Sequence, residues 1–359
     1  MMNSRDRVNA AIERRPHDRV PRHETFWEDT IRRWIGEGLA GGAKEALEHL
    51  RSDMAGVSPF LWPSPCRKGE ETISEDSQTR IFKDSWGATL RLFKDHQTTP
   101  EHLGWECDSP EAWHASFRER ILSTDPSIDI GALLESDRAA KARGQWRFFT
   151  VVEPFESMRK LVGDVESMMA IKEEPEWIAD MAEVTTTRSL RSLEGLYRSE
   201  ICPDGLWIYG DMAFNHATFC SPGDYRDLIW PQHKRLCDWA HGHGMKTIYH
   251  SDGNINAVIG QFIEAGIDVL QPLECKAGMD IRKLIPEYGE QVSFFGNIDV
   301  MVLIRGDIDE IEQEIKKKLS AGMATRGYIC HSDHSIPPQV SWELYQKIVT
   351  LIDKHGVYT

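Results

Sequence analysis

Two observations in the sequence predict an α/β barrel in which eight strands alternate with helices. First, several short apolar runs are continuous, which is typical of strands in a parallel sheet that helices cover. Second, each run stops abruptly on an acid, an amide or a histidine. The carboxyl ends of barrel strands face one common mouth, where the active sites of such barrels lie. These ends are Glu153, Asp211, His250 with Asp252, Glu274, Asn297 with Asp299, and Asp333 with His334.

The second half of the chain alternates regularly between strands and helices. Ser221 is a predicted N-cap, Pro222 suits the first helical position, and glycines such as Gly266 follow the helices. The spacing of roughly 22 to 40 residues per unit is that of βα repeats. The predicted strands are 146–153, 205–211, 246–250, 267–274, 291–297 and 327–333, and the predicted helices are 221–243, 254–265, 280–288, 308–319 and 341–354.

The first half is less regular, and we interpret it as two further strands and an insertion. Runs 20–26 and 54–60 complete the count of eight strands, and 29–50 and 109–143 are helical. From about 71 to 106, polar and apolar residues alternate around Gly87, which predicts an antiparallel hairpin. We expect a single barrel domain over 1–359, with this hairpin as a lid over the mouth. Trp86 would then be a substrate wall, although a structural role for this tryptophan is the alternative.

Composition excludes several classes of protein. The formal net charge of −15 argues against nucleic-acid binding, which requires a basic surface. The charged N-terminus does not resemble a signal peptide, and no run is apolar for the roughly 18 residues that a membrane span needs. Seven scattered cysteines without a CxxC pair indicate free thiols in a reducing cytoplasm.

The sharpest cluster of candidate ligands is His250, Asp252, Glu274 and His334. Residues i and i+2 of a strand point to the same side, so His250 and Asp252 both face the mouth while Ser251 turns away. Two imidazoles with one or two carboxylates suit zinc and leave a position open for water or substrate. Cys275 and Cys330 are softer ligands of second choice. A satisfied structural pair is the alternative for His250 and Asp252.

Other strand ends are candidates for catalysis or substrate binding. Asp211 and Glu153 are predicted to hold substrate or to act as a general acid, with helix capping as the alternative for each. Asn297 and Asp299 lie at the rim and would orient groups around the metal. His241 and His243 are assigned to a helix C-terminus, where histidine suits the dipole.

These residues also carry a family resemblance. The run GDMAF through SPGDYRDLIWPQHKRLCDWAHGHGMKTIYHSDGNI resembles the uroporphyrinogen decarboxylase superfamily, as do QPLECKAGMDIRKL, FFGNID, SDHSIPPQVSWELY and the N-terminal SRDRVNAAIERRPHDRVP. The resemblance covers nearly the whole chain and implies a (β/α)8 TIM barrel. A homodimer is typical of the decarboxylase relatives.

The superfamily includes two chemistries, and residues here discriminate between them. True uroporphyrinogen decarboxylases carry an RQAGR-type segment that holds the carboxylates of the substrate. This chain has PRHETFWEDTIRRW at that place, where Arg22, Arg32 and Arg33 are spaced differently. The resemblance is therefore nearer to the second branch, the zinc-dependent methyltransferases that work with corrinoid proteins.

The methyltransferase branch has a metal motif similar to HxC on one strand end, with a further cysteine near the last strand. His250 matches the histidine, whereas Asp252 and His334 stand where the cysteines would be. Such a site is a Lewis acid suited to oxygen. We therefore expect zinc-dependent transfer of a methyl group between a small donor, such as a methyl ether, and a corrinoid (cobalamin) on a partner protein. A metal-independent decarboxylase and a noncatalytic binding barrel remain the alternatives.

Overall fold

The computed structural model describes residues 2–65, 69–94, 100–124 and 128–358. Its strands are β1 (Met54–Leu61), β2 (Glu71–Glu75), β3 (Thr79–Lys83), β4 (Ala88–Phe93), β5 (Glu101–Trp105), β6 (Trp146–Val152), β7 (Gly205–Tyr209), β8 (Lys246–Ser251), β9 (Val269–Pro272), β10 (Ser293–Phe295) and β11 (Tyr328–Ile329). Its α-helices are α1 (Ser4–Ile12), α2 (Glu28–Gly36), α3 (Gly42–Leu50), α4 (Pro110–Ala112), α5 (Arg118–Ser123), α6 (Ile130–Ala142), α7 (Pro154–Val162), α8 (Asp164–Glu173), α9 (Pro175–Arg198), α10 (Pro222–Asp224), α11 (Trp230–Gly242), α12 (Ile259–Ala265), α13 (Ile281–Tyr288), α14 (Val300–Arg305), α15 (Ile308–Thr325) and α16 (Trp342–His355).

Seven parallel strands form the barrel wall in the order β1-β6-β7-β8-β9-β10-β11. The N-terminal segment 20–26 lies between the two edge strands and completes the barrel as its eighth segment. Arg22 bridges Cys330 in parallel, and the Arg22 carbonyl accepts a hydrogen bond from the Asp53 amide at 2.8 Å. The predicted eight-stranded barrel is confirmed. Segment 20–26 pairs only at isolated positions, because Pro21 offers a carbonyl oxygen but has no N–H to donate.

The interior of the barrel is filled at its amino end and open at its carboxyl end. Each wall strand contributes an inward apolar residue to one cluster, and α1 closes this cluster from below. The cluster consists of Val8, Ala11, Ile12, Met54, Trp146, Phe148, Trp207, Ile248, Val269, Phe295 and Ile329. Because inward residues recur every second position, Ile248 in this core is followed by His250 and then Asp252 toward the mouth.

A buried carboxylate fixes the start of the wall. Asp53, which is fully buried, accepts hydrogen bonds from Arg7 Nη1 at 2.7 Å, from Arg19 Nη1 at 2.7 Å and from the Arg22 amide at 2.9 Å. These bonds join α1 and segment 20–26 to β1. The Asp53 carboxylate therefore adds a charge-assisted hydrogen bond to the backbone bonds that hold segment 20–26 against Cys330 and β1.

The predicted hairpin is a four-stranded antiparallel sheet in the order β2-β3-β4-β5. Gly87 occupies the turn between β3 and β4 with a φ of +91°, a conformation that favours glycine. Trp86 is buried against Trp62 at a ring-centroid distance of 5.5 Å, and Lys160 of α7 lies over both rings. The sheet thus packs against α7 at the rim, with residues 95–99 of the insertion outside the described part of the chain.

Most predicted helices are present, whereas α1, α7, α8, α9 and α14 were not predicted. The long helical stretch 109–143 is two helical segments on either side of residues 125–127, which lie outside the described ranges. Six cysteines have free thiols, and Cys66 lies outside the described residues. None of the helices in the described ranges is both long and apolar enough to cross a membrane.

Candidate metal centre

Three side chains at the mouth lie close enough to share one metal ion. Each of Asp211, His250 and Asp252 offers a ligand atom, and these atoms all lie within 4.8 Å of one another. We call these three residues the ligand cluster. Asp211 follows β7, whereas His250 and Asp252 lie at the end of β8, which is the neighbouring strand. Asp211 Oδ1 accepts a hydrogen bond from the Asp252 amide at 2.8 Å, which ties the two strand ends together.

The orientation of His250 is set by two neighbours on adjacent strands. Its Nδ1 lies 2.5 Å from Oε1 of Gln271, and its ring stacks on Tyr209 at a centroid distance of 4.1 Å. An amide oxygen can only accept, so Nδ1 carries the proton and Nε2 presents its lone pair. The buried Nε2 of His250 and the buried Oδ1 of Asp252 make no hydrogen bond within the described residues. Buried polar atoms are normally satisfied, so this pair fits a bound cation.

His334 extends the ligand cluster across the rim. Its Nε2 lies 3.4 Å from Asp252 Oδ2, and its ring stacks on Trp27 at 5.6 Å. The hydrogen bond to Asp252 raises the pKa of His334. Burial opposes ionisation of Asp252, but the bond from His334 and the nearby histidines outweigh it and lower the pKa of this carboxyl. One imidazole and two carboxylates thus share a site, with the His334 imidazole beside Asp252, and imidazole and carboxylate donors suit zinc.

We expect Gln271→Leu to weaken zinc binding by about 10- to 100-fold, because the orienting partner of a metal-binding histidine contributes that much to affinity. The ring would lose its fixed tautomer while the ligand atoms remain. Competition of the purified variant with a chromogenic chelator measures this loss. Gln261→Leu on α12 is the control, and equal zinc affinity in both variants would contradict the assigned role of Gln271.

Glu274 and the two cysteines lie apart from the ligand cluster. Both oxygens of Glu274 are engaged, one by the Gly253 amide at 2.8 Å and one by Lys276 Nζ at 2.8 Å. Cys275 lies against Asn297, and Cys330 is buried in the wall. Burial raises the pKa of the Cys275 thiol well above its usual value and that of Cys330 to about 12. Asp211 therefore takes the place in the cluster that the sequence assigned to Glu274.

The two rim residues predicted to bind substrate instead stabilise loops. The side chain of Asn297 is completely buried, donates to the carbonyls of Leu273 at 2.6 Å and Met279 at 2.8 Å, and accepts from Lys318 Nζ at 2.5 Å. Asp299 is the N-cap of α14 and accepts from the Met301 amide at 2.8 Å. Neither residue lines the cavity below the mouth.

Glu153 caps α7 rather than facing the mouth. It is completely buried, accepts from the amides of Phe155, at 2.8 Å, and Glu156, and lies 3.0 Å from Nε2 of His233. The Tyr225 hydroxyl lies 2.9 Å from Nδ1 of the same histidine. The capping alternative therefore describes what the structure shows for Glu153.

We expect Glu153→Ala to lower the free energy of unfolding by roughly 2 to 4 kcal/mol, since it removes a helix cap and leaves His233 without its buried partner. Chemical denaturation measures this loss. The exposed Glu290→Ala is the control, and zinc affinity of the folded variant should stay unchanged. Wild-type stability with lost activity would instead assign Glu153 to catalysis.

A cavity of about 650 Å³ lies beneath the ligand cluster, inside the barrel. It is a size typical of sites for small molecules. Aromatic residues and hydroxyl residues both contribute to its wall. The aromatic residues are Phe26, Trp27, Phe60, Phe148, Trp207 and Tyr209, and the hydroxyl residues are Thr25, Ser58, Thr150 and Ser335. Among the described residues, no lysine or arginine lines it, and neither Trp86 nor any other residue of the insertion does.

Sequence reasoning missed Gln271, Tyr209 and the aromatic walls. Gln271 had a detectable signal, since it is a polar residue two positions after Val269 in a buried apolar run. The register Tyr209–His250–Gln271 brings these three side chains side by side across three strands. The register between neighbouring strands, which aligns these three side chains, is not apparent from the sequence.

Part of the chain matches a known protein family. Residues 202–355, which carry β7 to β11 and all three residues of the ligand cluster, match the uroporphyrinogen decarboxylase family. The predicted resemblance to that superfamily is confirmed. A uroporphyrinogen decarboxylase from Streptomyces coelicolor is 25% identical over 136 residues. That alignment spans 37% of this chain and 36% of the relative, so the chain matches about a third of the curated relative's length.

A solved structure extends the similarity to the whole barrel. A methyltransferase from Methanosarcina mazei superimposes with a TM-score of 0.66 over 99% of each chain, at 16% sequence identity. At this identity, the match establishes a common fold. The common fold thus extends over segment 20–26 and the insertion as well as the C-terminal strands.

Proposed function

We propose that this protein is a zinc-dependent methyltransferase that moves a methyl group between a small methylated donor and a corrinoid carried by a partner protein. The observation that carries the proposal is the pair of unsatisfied buried atoms, His250 Nε2 and Asp252 Oδ1, above an aromatic cavity. Asp211, His250 and Asp252 would hold the ion, with His334 beside them. A zinc ion bound there supplies Lewis acidity toward an oxygen atom of the donor.

The cavity supports an aromatic methyl ether as the donor. Phe148, Trp207 and Tyr209 line its wall and present flat apolar faces, which favour a planar ring. Tyr209 also stacks on His250, so a ring against this wall would direct its ether oxygen toward the ligand cluster. The carboxylates of the cluster hold metal rather than substrate in this proposal.

The exposed residues of the rim support the proposal that a partner protein covers the mouth during transfer. Trp27 and Phe60 line the cavity and are 51% and 54% exposed, respectively. Large apolar side chains that are exposed around a cavity mark surfaces for partners. A corrinoid protein seated here would bring its cofactor above the donor while the aromatic rim excludes water.

A metal-independent decarboxylase is the second candidate, and the match to the uroporphyrinogen decarboxylase family favours it. The cavity argues against a polycarboxylate substrate. No lysine or arginine lines it within the described residues, whereas two aspartates do. Arg22 instead pairs with Asp353 at 2.6 Å, away from the cavity.

Methylcobalamin formation tests the proposal. The zinc-loaded protein would be incubated with 2-methoxyphenol and free cob(I)alamin, and the absorbance change of the corrin would be followed. We expect turnover that a chelator abolishes and that added zinc restores. Absence of methyl transfer from any methyl ether, together with chelator-resistant release of CO₂ from uroporphyrinogen, would favour the decarboxylase.

A further inference from the structure

A second polar group lies beside the cavity and has no role in the proposed metal site. Glu24 and His331 are both buried in the barrel wall, and His331 Nε2 lies 3.1 Å from Glu24 Oε1. Glu24 also accepts from the Thr25 amide at 3.0 Å and from the Ser332 hydroxyl at 2.8 Å. A buried acid next to a buried base at this distance can share a proton.

The hydrogen bonds show where that proton lies. His331 Nδ1 bonds to the carbonyl oxygen of Ser332, which can only accept, so Nδ1 is the donor and Nε2 has a lone pair. Burial raises the pKa of Glu24 to about 8 and lowers the pKa of His331 to about 3. At neutral pH, the imidazole is therefore uncharged and the proton lies on the Glu24 carboxyl.

A chain of hydroxyl groups connects this pair to the cavity. The Thr25 hydroxyl lies 3.3 Å from His331 Nε2 and 2.9 Å from the Ser335 hydroxyl. Both Thr25 and Ser335 line the cavity, and Ser335 follows His334 of the rim. The sequence of contacts Glu24, His331, Thr25, Ser335 thus runs from the buried wall to the place where a donor oxygen would lie.

The proposed reaction needs such a supply of protons. Transfer of the methyl group to cobalt(I) breaks the C–O bond and leaves the electron pair on oxygen. Asp211, which could otherwise protonate that oxygen, lies within the ligand cluster. The leaving oxygen therefore needs a proton from another group of the chain.

We infer that Glu24 and His331 form a proton reservoir that supplies the leaving oxygen through Thr25 and Ser335. The Ser335 hydroxyl gives its proton to the oxygen and takes one from Thr25. Glu24 gives its proton to the lone pair of His331 Nε2 and ends as a carboxylate, and Nε2 passes that proton on to Thr25, which returns the imidazole to its neutral form. Water entering the cavity after product release returns the proton along the same path. The destination of the proton rests on the proposed function, whereas the reservoir and its path do not.

The surroundings set the pH range in which the reservoir is filled. The titratable groups that face Glu24 and His331 are Arg22, His23, His250, Tyr328, Cys330, Asp333, His334 and Tyr345. Because the pKa of Glu24 is raised, the carboxyl keeps its proton below about pH 8 and loses it as the pH rises through that value.

Infrared spectroscopy tests the reservoir without any turnover. We expect the wild-type protein at pH 7 to show the C=O stretching band of protonated, buried carboxylic acids, and Glu24→Gln to lose the part of it that Glu24 contributes. Glu156, whose pKa burial raises to about 7, contributes equally to both proteins and cancels in the difference spectrum. Absence of a C=O band from the wild-type minus Glu24→Gln difference spectrum would overturn the inference. Thr25→Val, in which the band should persist, tests the path. After transfer to D₂O, the carboxyl band shifts as deuterium replaces hydrogen. In Thr25→Val, we expect this exchange to be at least about tenfold slower than in Thr150→Val, which changes another cavity threonine, since the hydroxyl relay carries the exchange. Equal exchange in the two variants would remove Thr25 from the path.

A comparison of two donors tests the use of the proton. Glu24→Gln keeps the shape of the side chain but cannot release a proton. For anisole, we expect kcat to fall roughly 10²-fold, the usual contribution of a general acid. For 4-nitroanisole, whose nitrophenolate leaves without protonation, we expect a change of less than about twofold. Equal losses for both donors would overturn the relay. A wild type inactive with these two donors and with 2-methoxyphenol would refute the proposed function and the use of the proton, while the infrared band would still decide the reservoir.

Discussion

Replacing His250 by alanine is expected to remove zinc binding and methyl transfer together. His250 supplies the only imidazole among the three residues of the ligand cluster. The loss should exceed the roughly 10- to 100-fold that a change in an orienting partner produces, because a ligand itself is removed. Elemental analysis of protein purified without chelators, before and after zinc is added, measures this effect beside the methyl-transfer assay.

Two controls separate metal binding from folding in this experiment. His114→Ala removes an exposed histidine on the segment between α4 and α5 and should retain about the wild-type zinc content. The circular dichroism spectrum of His250→Ala should match that of the wild type, because the wall of β7, β8 and β9 does not depend on this ring. One zinc per chain in a folded His250→Ala protein would place the metal elsewhere and refute the ligand cluster.

Gly253→Ala is expected to destabilise the mouth and to displace Asp252. Gly253 has a φ of +82°, and a Cβ at this position would lie 2.5 Å from the carbonyl carbon of Ala213 and 2.7 Å from the amide of Phe214. Backbone atoms cannot move aside as a flexible side chain can. The left-handed conformation and the overpacking together should cost roughly 2 to 5 kcal/mol.

The displacement of Asp252 should weaken metal binding in addition to lowering stability. Asp252 precedes Gly253 directly, and its amide is tied to Asp211. We therefore expect weaker zinc binding in whatever fraction of Gly253→Ala remains folded, measured by chelator competition at low temperature. Gly195→Ala on α9 is the matched control. A Cβ there meets nothing within 4 Å, so this change should leave zinc binding intact and stabilise the helix by up to about 1 kcal/mol. Equal unfolding midpoints for the two variants would contradict the argument.

The barrel could be predicted because its signal lies within each strand and does not depend on tertiary contacts. Apolar runs that end on polar residues mark buried strands and their carboxyl ends, whatever the register between them. All eight segments of the barrel lie where the apolar runs of the sequence indicated. The missed helices α7, α8 and α9 follow one another after β6, where no strand signal separates them.

The candidate site was predictable only where one strand carries the pattern. His250 and Asp252 share a side because they are two positions apart, and Ser251 turns away to accept from the Met212 amide at 3.1 Å. The choice between Glu274 and Asp211 as the next ligand depends on side-chain direction beyond the strand end. Lys276 and the Gly253 amide turn Glu274 away from the mouth. Glu153 and Asn297 show the same limit, since a polar residue at a strand end can cap a helix or hold a loop, as both do in the structure.

By itself, the sequence of this protein determined the class of fold, the order of the strands along the chain, and the pair of candidate ligands on β8, because each depends on local periodicity. Only the tertiary structure decided that Asp211 joins them, that Gln271 and Tyr209 orient His250, and that Glu24 meets His331 across 307 positions of the chain. These contacts depend on the register between strands and on the closure of the wall, which short-range patterns in the chain do not encode.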